Sequence, residues 1–392
     1  MSDYLQSLAK LSRLDRKGID LGLSKTKKIL KIFQSPHQKL KSIHVAGTNG
    51  KGSTVAMLSS ILQAAGYHVG SFYSPHVLDI RERIQVNQKW ISKQDFLNLT
   101  QQIHQVMETH KIDLSYFEFL TVMAFLHYRN QNVDVGVIEV GLGGRLDATN
   151  VITPEVSVIT TISHDHHRFL GNTLTKIAKE KAGIIKYKRP CVTGVRRPSV
   201  FKTIQKIARQ KKSPLYAASL EENFSYTLGL QGAYQTQNAR LVLKTTQVLN
   251  QKGFFISERA LQKGFLTANI VGRFEKICSS PTVIVDGAHN VDGIRTCMHA
   301  LNEAFPHSRR FVILGICQDK NTKKMVQMVQ KNVNHTHFIE IPTPRSWKVS
   351  SHKQLKDVYP KVIQKMHEKD VLCITGSLYA VEAAKRYFES RC

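Results

Sequence analysis

The sequence predicts an α/β protein of two domains, in which mainly parallel strands are covered by helices. Apolar strand-like runs alternate with segments of helical periodicity along most of the chain, which is the pattern of strands joined by crossover helices. A length of 392 residues exceeds one ordinary core, so we expect more than one domain. The 42% hydrophobic and 22% charged composition is that of a globular protein and excludes wholesale disorder or a fibrous rod.

The predicted elements of the first half begin with a buried strand at 42–46 that runs into a glycine-rich turn. A helix is expected after that turn, from about Ser53 to Ala65. The alternation then continues with a strand near 69–73, helices at 95–109 and 117–129, strands at 133–140 and 156–162, and a helix within TLTKIAKEKAGII. The stretch around 213–233 is less regular.

A second alternation of strands and helices fills the C-terminal part of the chain. Its strands are predicted at 282–286, 311–315, 336–341 and 370–375, and its helices after 290, at 321–331, at 353–367 and at the C-terminus. A unit of about a hundred residues is a normal domain size. The segment GRFEKICSSP at 272–281 interrupts the pattern, so we expect an N-terminal domain of residues 1–275 and a C-terminal domain of residues 280–392.

The chain is strongly basic, with 56 Lys and Arg against 29 Asp and Glu and a net charge of +27. Such a field favours anionic partners, namely nucleic acid, an acidic membrane surface or a nucleotide. The basic residues are scattered over predicted helix faces without a block of like charge, so we interpret them as solvated surface. We therefore expect neither a nucleic-acid partner nor a membrane partner.

The N-terminal sequence MSDYLQSLAKLSRLDRKGID mixes charged and apolar residues and lacks the apolar run of a signal peptide. No stretch approaches the roughly 20 apolar residues that cross a bilayer. The cysteines form no C-x-x-C pair, which disfavours a zinc ribbon or a redox motif. We expect a soluble cytoplasmic protein.

The segment HVAGTNGKGST, residues 44–54, lies where a predicted strand turns into a helix. Backbone N–H groups of a glycine-rich turn and the N-terminus of the next helix can hold phosphate there, and Lys51 supplies a cation. The loop departs from G-x-x-x-x-G-K-[ST], because Val45 replaces the first glycine and Gly52 separates Lys51 from Ser53. A glycine turn with an incidental lysine is the alternative. The predicted nucleotide-binding residues are Gly47, Thr48, Asn49, Gly50, Lys51, Gly52 and Ser53.

Seven further motifs follow this loop in a fixed order. They are SFYSPH at 71–76, ERI at 82–84, EVGLGGRLDATN at 139–150, DH at 165–166 with LG at 170–171, EKAGI at 180–184, GRFE at 272–275 and DGAHN at 286–290. Together with AGTNGKGST they resemble the Mur ligase superfamily and, within it, the bacterial bifunctional dihydrofolate synthase/folylpolyglutamate synthases. The resemblance covers nearly the whole chain.

The resemblance implies an N-terminal P-loop-type ATPase domain and a smaller C-terminal Rossmann-like α/β domain. It also implies a ligase that uses ATP to join L-glutamate first to dihydropteroate and then to the γ-carboxylate of tetrahydrofolates. Separately, we expect a monomer. Amide formation in water requires a carboxylate oxygen to become a leaving group, and ATP achieves this by forming an acyl phosphate. The protein then has to position the reactants and neutralise charge.

The resemblance implies Mg²⁺, with K⁺ as a further cation, and Ser74, Glu139 and His166 as metal ligands. Ser74 and Glu139 follow predicted strands, where open α/β sheets bind ligands. Mg²⁺ prefers oxygen ligands, so the assignment of His166 rests on the resemblance alone. Lys181 is implied to be carbamylated, which would turn a cation into a carboxylate-like group. With Lys51, the residues Glu139, His166 and Lys181 form the implied catalytic set.

The resemblance extends the nucleotide site to Asn238, Arg273 and Asp286. Without the resemblance, Arg273 suits an interdomain salt bridge and Asp286 suits a helix cap. A pterin ring is held by aromatic and aliphatic faces with a few polar groups, although Tyr116 and Phe117, at helical spacing, suit a core equally well. The implied pterin contacts are Ile19, Asp20, Leu21, Tyr116, Phe117, Glu118, Leu146, Asp147 and Ala148.

Two departures from the family pattern concern the recognition of glutamate. Asn321 replaces an acid in CQDKN, and the stretch 342–346 matches its family counterpart loosely. Two other functions stay open. A cell-wall Mur ligase would carry an extra N-terminal nucleotide-sugar domain, for which the 43 residues before His44 leave no room. A basic nucleic-acid-binding protein with a regulatory nucleotide site would show polynucleotide affinity that depends steeply on salt.

We expect Lys51→Ala to abolish turnover while the fold is kept, because the variant lacks the cation that neutralises the outer phosphates. Phosphate release in the presence of ATP, a pterin acid and glutamate measures turnover, and circular dichroism checks the fold. Near-normal turnover in the folded variant would contradict the assignment of the loop.

Overall fold

The computed structural model describes residues 4, 7, 8, 11, 12, 14, 18, 20–219, 224–348 and 353–389 of the chain. Two sheets of mainly parallel strands, with helices between the strands, confirm the predicted α/β class. The chain forms two compact units, and each contains one sheet. The first unit comprises Met1–Ile162, His166–Thr227 and Asn238–Ala268, and the second comprises Ser163–Asp165, Leu228–Gln237 and Asn269–Cys392.

The first unit contains an eight-stranded sheet. Its strands are β1 Lys41–Ala46, β2 Val69–Phe72, β3 Ile84–Val86, β4 Lys89–Trp90, β5 Val135–Glu139, β6 Val156–Ile159, β7 Cys191–Thr193 and β8 Leu215–Ala217. They lie in the order β4-β3-β2-β5-β1-β6-β7-β8. The pairs from β2 to β8 in this spatial order are parallel, whereas β3 pairs antiparallel with both β2 and β4. The parallel strands therefore end along one side of the sheet, the carboxyl edge, and begin along the opposite side, the amino edge.

Helices surround this sheet, so its central strands are buried. All of β5 and every residue of β1 after the first are buried, as expected for parallel strands covered on both faces. The helices are α1 Ser24–Ile32, α2 Pro36–Lys39, α3 Lys51–Ala64, α4 Lys93–Thr109, α5 Tyr116–Asn130, α6 His167–Leu170, α7 Leu174–Ala182, α8 Pro198–Gln210, α9 Tyr234–Gln251 and α10 Glu258–Thr267. Within the described ranges, no helix is long and apolar enough to cross a membrane.

The second unit contains a five-stranded sheet. Its strands are β9 Glu275–Ser279, β10 Thr282–Val285, β11 Arg310–Leu314, β12 His335–Phe338 and β13 Val371–Thr375, and its helices are α11 Val291–Ala304, α12 Thr322–Gln330, α13 Leu355–Ile363 and α14 Leu378–Phe388. The order is β12-β11-β13-β10-β9, with β9 antiparallel to β10 and the other neighbours parallel. Apolar side chains of α11 and α12 form a core with β10, β11 and β13.

Several elements of the fold are not among those predicted. They are α1, α2, β3, β4, α6, α9 and α10, and the elements of the segment 191–217, which forms β7, α8 and β8. The two strands have three residues each, too few to show an alternation, but α8 buries Val200, Ile204 and Ala208 at helical spacing. The segment 272–281, expected to interrupt the pattern, contains β9, whose residues are mostly exposed or half-buried because it is an edge strand. The other predicted elements form, with bounds that differ by a few residues.

Helix α3, which begins at the glycine-rich loop, is held against α10 by a close approach of the two backbones. A Cβ atom on Gly264 of α10 would overlap the backbone of Ile61 in α3. The hydroxyls of Ser60 and Thr267 form a hydrogen bond of 3.0 Å between the same two helices. The position of α3 therefore depends on the absence of a side chain at residue 264.

We expect Gly264→Ala to lower the free energy of unfolding by up to about 2 kcal/mol. Overpacking against a backbone costs roughly 1–3 kcal/mol, which exceeds the gain of about 1 kcal/mol from the better helix propensity of alanine. Urea unfolding measures the change. Gly22→Ala is the control, because a Cβ atom at Gly22 meets no atom of the described residues within 4 Å. A Gly264→Ala protein as stable as the control would show that the helices separate without cost.

Candidate active site

The glycine-rich loop between β1 and α3 lies at the carboxyl edge of the first sheet. Gly50 precedes α3 in the left-handed conformation, with φ 86°, and a Cβ atom there would lie 2.5 Å from Asn238 Oδ1. The carbonyl of Gly50 accepts the N–H and the hydroxyl of Thr54. The first-turn N–H groups of α3, beginning at Lys51, have no partner within the helix, so this end can stabilise an anion.

Two threonines after β6 hold this loop, and the sequence analysis identifies neither. Thr160 Oγ1 donates to the Asn49 carbonyl at 2.6 Å. Thr161 Oγ1 lies 3.1 Å from the same carbonyl and 3.0 Å from the N–H of Asn49. A Cβ atom on Gly47 would overlap Thr160 Oγ1, so glycine is required there for the loop to reach the threonines. The pair of threonines directly after a predicted strand is the sequence feature that could have identified them.

Three of the predicted site residues lie together at the carboxyl edge, namely Lys51, Ser74 and Glu139. Lys51 Nζ is 3.8 Å from Glu139 Oε1 and donates to the Thr48 carbonyl at 3.3 Å. Glu139 is the last residue of β5, is 3% exposed and accepts the N–H of Ser74 on Oε2 at 3.3 Å. A separation of 3.8 Å is an ion pair without a hydrogen bond. The carboxylate and hydroxyl oxygens are ligands that Mg²⁺ prefers, so these residues fit that ion.

Lys181 is also directed at the loop. It lies in the last turn of α7, is 5% exposed and donates from Nζ to the Gly47 carbonyl at 2.8 Å. The adjacent Glu180 instead pairs with Arg145 at 3.0 Å. The structure therefore separates the two neighbours, with the lysine against the loop and the glutamate in a surface ion pair.

His166 lies on the loop after β6, in the left-handed conformation, with φ 49° and ψ 41°. Its carbonyl accepts the N–H groups of Phe169 and Leu170, which starts α6. Among the described residues, no group of three or more His, Cys, Asp or Glu side chains is arranged to hold a metal ion. The role of His166 as a metal ligand stays a prediction.

The aromatic residues at the start of α5 lie beside the loop that follows β5. A Cβ atom on Gly141 would come within 2.5 Å of the Phe117 ring, so the ring lies directly against this loop. Phe117 also packs on Phe72, with ring centroids 5.7 Å apart. The guanidinium of Arg83 lies 5.5 Å from the centroid of the Tyr116 ring. Both rings are half-buried against the main apolar core, so each combines core packing with an accessible part.

Two carboxylates implied to contact the pterin accept hydrogen bonds from the protein itself. Glu118 accepts the N–H and the hydroxyl of Ser115 at 2.8 Å each and so caps α5. Asp147 accepts the N–H groups of Leu142 at 2.8 Å and Thr149 at 3.0 Å, and burial raises the pKa of Asp147. Asp147 thereby closes the glycine-rich loop after β5.

His44 of β1 supports the same loop. Its Nε2 lies 2.8 Å from Thr149 Oγ1, and the Thr149 hydroxyl in turn donates to Asp147. Burial, and then repulsion from Lys186, lowers the pKa of His44 to about 3. The ring is therefore neutral at physiological pH and acts as a hydrogen-bonding partner.

The N-terminal residues implied to contact the pterin are described in part. Asp20 is exposed and pairs with Lys25 at 2.7 Å, and Leu21 is half-buried. Ile19 lies outside the described residues. Of the two sequence neighbours of Asp147, Leu146 is half-buried and Ala148 is buried.

In the second unit, Asp286 joins the GRFE and DGAHN motifs. Its Oδ2 accepts the Tyr234 hydroxyl at 3.0 Å and the Phe274 N–H at 2.9 Å. Burial raises the pKa of Asp286, and the nearby Arg273 opposes that change. The Arg273 guanidinium lies against Gly287, where a Cβ atom would overlap it. Tyr234 is a partner that the sequence analysis does not identify.

A second carboxylate of this unit, Asp165, joins three motifs. Lys320 Nζ lies 2.6 Å from its Oδ1, His289 Nε2 lies 3.5 Å from its Oδ2, and Asn290 donates to it at 3.3 Å. Asn321, which replaces the acid of the family pattern, accepts the Lys324 N–H at 3.3 Å and caps α12. The amide therefore keeps a capping function that a carboxylate would also perform.

Family models match both halves of the chain. The Mur ligase middle domain matches residues 45–263, and the Mur ligase, glutamate ligase domain matches residues 272–378. The dihydrofolate synthase/folylpolyglutamate synthase of Bacillus subtilis (strain 168) is 34% identical to the chain, over 94% of the chain and 95% of that protein. The protein of that name from Escherichia coli (strain K12) is 32% identical, over 86% of the chain and 82% of that protein.

Solved structures resemble the whole fold. Escherichia coli FolC in complex with DHPP and ADP has a TM-score of 0.90 at 27% identity, over 98% of each chain. Mycobacterium tuberculosis folylpolyglutamate synthase complexed with ADP has a TM-score of 0.91 at 27% identity, over 99% of each chain.

We expect Thr160→Val to raise the KM for ATP about fivefold, because one hydrogen bond that fixes the loop is lost at a cost of roughly 1 kcal/mol. A larger increase is expected in the Thr160→Val/Thr161→Val double variant, in which the Asn49 carbonyl loses both hydroxyl donors. Thr160→Ser keeps the hydroxyl and should retain the wild-type KM. Initial rates of phosphate release over a range of ATP concentrations separate KM from kcat. A wild-type KM in the double variant would contradict the role of the threonines.

Proposed function

Because the chain belongs to the Mur ligase family, we propose that it joins L-glutamate to dihydropteroate, forming dihydrofolate, and to the γ-carboxylate of tetrahydrofolates. The chain is an ATP-dependent ligase of folate metabolism that adds glutamate, which agrees with the names of its relatives. Both acceptors belong to the proposal. The name of the relatives, dihydrofolate synthase/folylpolyglutamate synthase, supports them.

The observation on which the residue roles rest is the loop fixed at the carboxyl edge. Lys51 leaves this loop and lies 3.8 Å from the buried carboxylate of Glu139. Open α/β sheets bind ligands at this edge, so the γ-phosphate of ATP would be held between the first-turn N–H groups of α3 and the Lys51 ammonium. Thr160 and Thr161 keep the loop in position by binding Asn49. Asn238, whose amide lies against Gly50, is proposed to contact the nucleotide.

The proposed reaction has two steps. A carboxylate oxygen of the acceptor takes the γ-phosphoryl group of ATP, so ADP leaves and an acyl phosphate forms. The amine of glutamate, after losing a proton, attacks the acyl carbon, and the amide forms as the phosphate leaves. Both steps place negative charge near the loop, so Lys51 and the loop N–H groups lower the barrier by electrostatic stabilisation.

We propose Ser74, Glu139 and His166 as ligands of Mg²⁺, with K⁺ as a further cation. Mg²⁺ supplies charge neutralisation for the phosphates. Lys181 is proposed to be carbamylated, since an ammonium beside a magnesium site would oppose metal binding. Its position against the Gly47 carbonyl places the group at the same loop.

The acceptor is proposed to bind between the start of α5 and the loop after β5. Phe117 lies against Gly141, and Tyr116 lies beside Arg83. The rings of Phe117 and Tyr116 could therefore hold a planar pterin. Glu118 and Asp147 shape this site by capping α5 and closing the loop. The further proposed contacts are Ile19, Asp20, Leu21, Leu146 and Ala148.

The division of the chain into domains is also part of the proposal. Residues 1–275 are proposed to carry the ATP and pterin sites, and residues 280–392 to bind glutamate, with Arg273 and Asp286 completing the nucleotide site. The family models support this division, because one ends at residue 263 and the other begins at residue 272. The enzyme is proposed to be a cytoplasmic monomer.

Mass spectrometry of the products tests the proposed acceptors. The chain is incubated with ATP, Mg²⁺, glutamate and either dihydropteroate or tetrahydrofolate, and parallel reactions omit glutamate. We expect each acceptor to gain one glutamyl unit only when glutamate is present. Extension of tetrahydrofolate alone would remove dihydropteroate from the proposal, and extension of neither would overturn it.

A further inference from the structure

The amino edge of the first sheet carries a group of cations that takes no part in the site described above. The edge is marked by the residues at or shortly before the first residue of each parallel strand, and Lys252, which follows α9, joins it through an ion pair with Glu155. The exposed cations are Lys41, Lys188, Lys211, Lys212 and Lys252, and the half-buried ones are Lys186 and Arg189. The carboxylates that directly precede parallel strands at this edge are Asp134 and Glu155. We call these seven cations the amino-edge cluster.

The chain supplies few carboxylates to this cluster. From residue 181 to residue 220 it contains eleven Lys and Arg and neither Asp nor Glu. Glu155 pairs with Arg189 at 2.6 Å and with Lys252 at 3.7 Å. In the described part of the chain, no carboxylate pairs with Lys188, Lys211 or Lys212. The cluster therefore keeps most of its positive charge.

Hydrogen bonds to backbone carbonyls join the segment 186–189 to the segment 211–213 and so bring their cations together. The N–H of Lys188 donates to the carbonyl of Lys211 at 2.9 Å, and the Ser213 hydroxyl donates to the carbonyl of Arg189 at 2.6 Å. Burial and then the nearby charges of Lys27 and Lys211 lower the pKa of Lys186 to about 8. Like charges thus crowd one another, and a bound anion would relieve their repulsion.

Two exposed aromatic rings lie at the same edge. Tyr187 is 57% exposed between two lysines, and Lys188 Nζ lies 5.4 Å from its ring centroid. Phe255 is 84% exposed, and its N–H donates at 3.0 Å to the hydroxyl of Tyr67, two residues before β2. Among the described residues these are the two most exposed large apolar side chains. An unpaired cation beside an exposed ring, as at Lys188 and Tyr187, is the combination that binds single strands of nucleic acid, and Phe255 offers a second ring along the same edge.

We infer that the amino-edge cluster, with Tyr187 and Phe255, binds single-stranded nucleic acid. The phosphates would contact the cations, and bases would stack on the two rings. The nucleotide loop lies at the opposite, carboxyl edge, so this surface is separate from the site of the ligase reaction. The inference departs from the expectation of a solvated basic surface, because the fold gathers cations that are scattered in the sequence.

An anionic membrane surface is the competing partner, and the structure favours it less. Peripheral membrane binding uses an apolar helix face that enters the bilayer. The apolar residues Val200, Ile204 and Ala208 of α8 are buried within the first unit. Two isolated rings suffice for base stacking but offer little apolar area for insertion.

Fluorescence anisotropy with a labelled oligouridine tests the inference on the full chain at several salt concentrations. We expect the logarithm of the affinity to fall linearly with the logarithm of the salt concentration. The triple variant Lys188→Glu/Lys211→Glu/Lys212→Glu should bind at least about tenfold more weakly. The slope of its salt dependence should be smaller in magnitude by roughly 2, because each phosphate contact on a single strand contributes about 0.7 and three contacts are lost. Tyr187→Ala should weaken binding about tenfold, whereas Tyr187→Phe keeps the stacking ring.

The matched control is Lys323→Glu/Lys324→Glu/Lys331→Glu, which changes the net charge equally on exposed lysines of the second unit. Thermal unfolding checks that each variant is folded. We expect the control to keep the wild-type affinity and slope. Equal losses in both triple variants, no binding of oligouridine by the wild type, or binding of phosphatidylglycerol vesicles in its place would each overturn the inference. None of these measurements depends on ligase activity.

Discussion

The candidate site depends on one close approach between backbone and side chain. Gly47 lies so close to Thr160 that a Cβ atom on residue 47 would overlap the threonine hydroxyl. This close approach lets the Thr160 hydroxyl reach the Asn49 carbonyl. The fixed loop sets the first residue of α3, and so the place from which Lys51 faces Glu139. A hydrogen bond between residues that follow two adjacent parallel strands thus fixes the N-terminus of α3, which is the proposed place for a phosphate. Catalysis by positioning and charge neutralisation requires that the loop does not move.

Several charged residues in the family motifs stabilise loops rather than standing free in the site. Glu118 caps α5, Asp147 closes the loop after β5, and Asp286 joins two motifs of the second unit. Each carboxylate is buried and accepts N–H or O–H groups, because a buried charge without such partners would be costly. A residue of this kind supports the proposed site by fixing a loop, and it does so without having to touch a reactant itself.

The first sheet separates two kinds of chemistry by the direction of its strands. At the carboxyl edge, loops from β1, β2, β5 and β6 bring together an ammonium, a carboxylate and hydroxyl groups. At the amino edge, turns before β1, β7 and β8 gather cations with few acids among them. Parallel pairing produces this separation, since every loop that follows a strand lies on one side and every turn that precedes a strand lies on the other.

The α/β class, many strands and helices and the position of the glycine-rich loop could be predicted from the sequence, because burial periodicity and glycine spacing are local properties. The prediction lacks β7 and β8, which are too short to show a period, and it also lacks the helices α8, α9 and α10. Three features became evident in the folded chain: Thr160 binds Asn49, Lys320 pairs with Asp165, and distant cations share one edge. These contacts join residues far apart in the chain, and strand order and register, which no local pattern encodes, decide which of them meet.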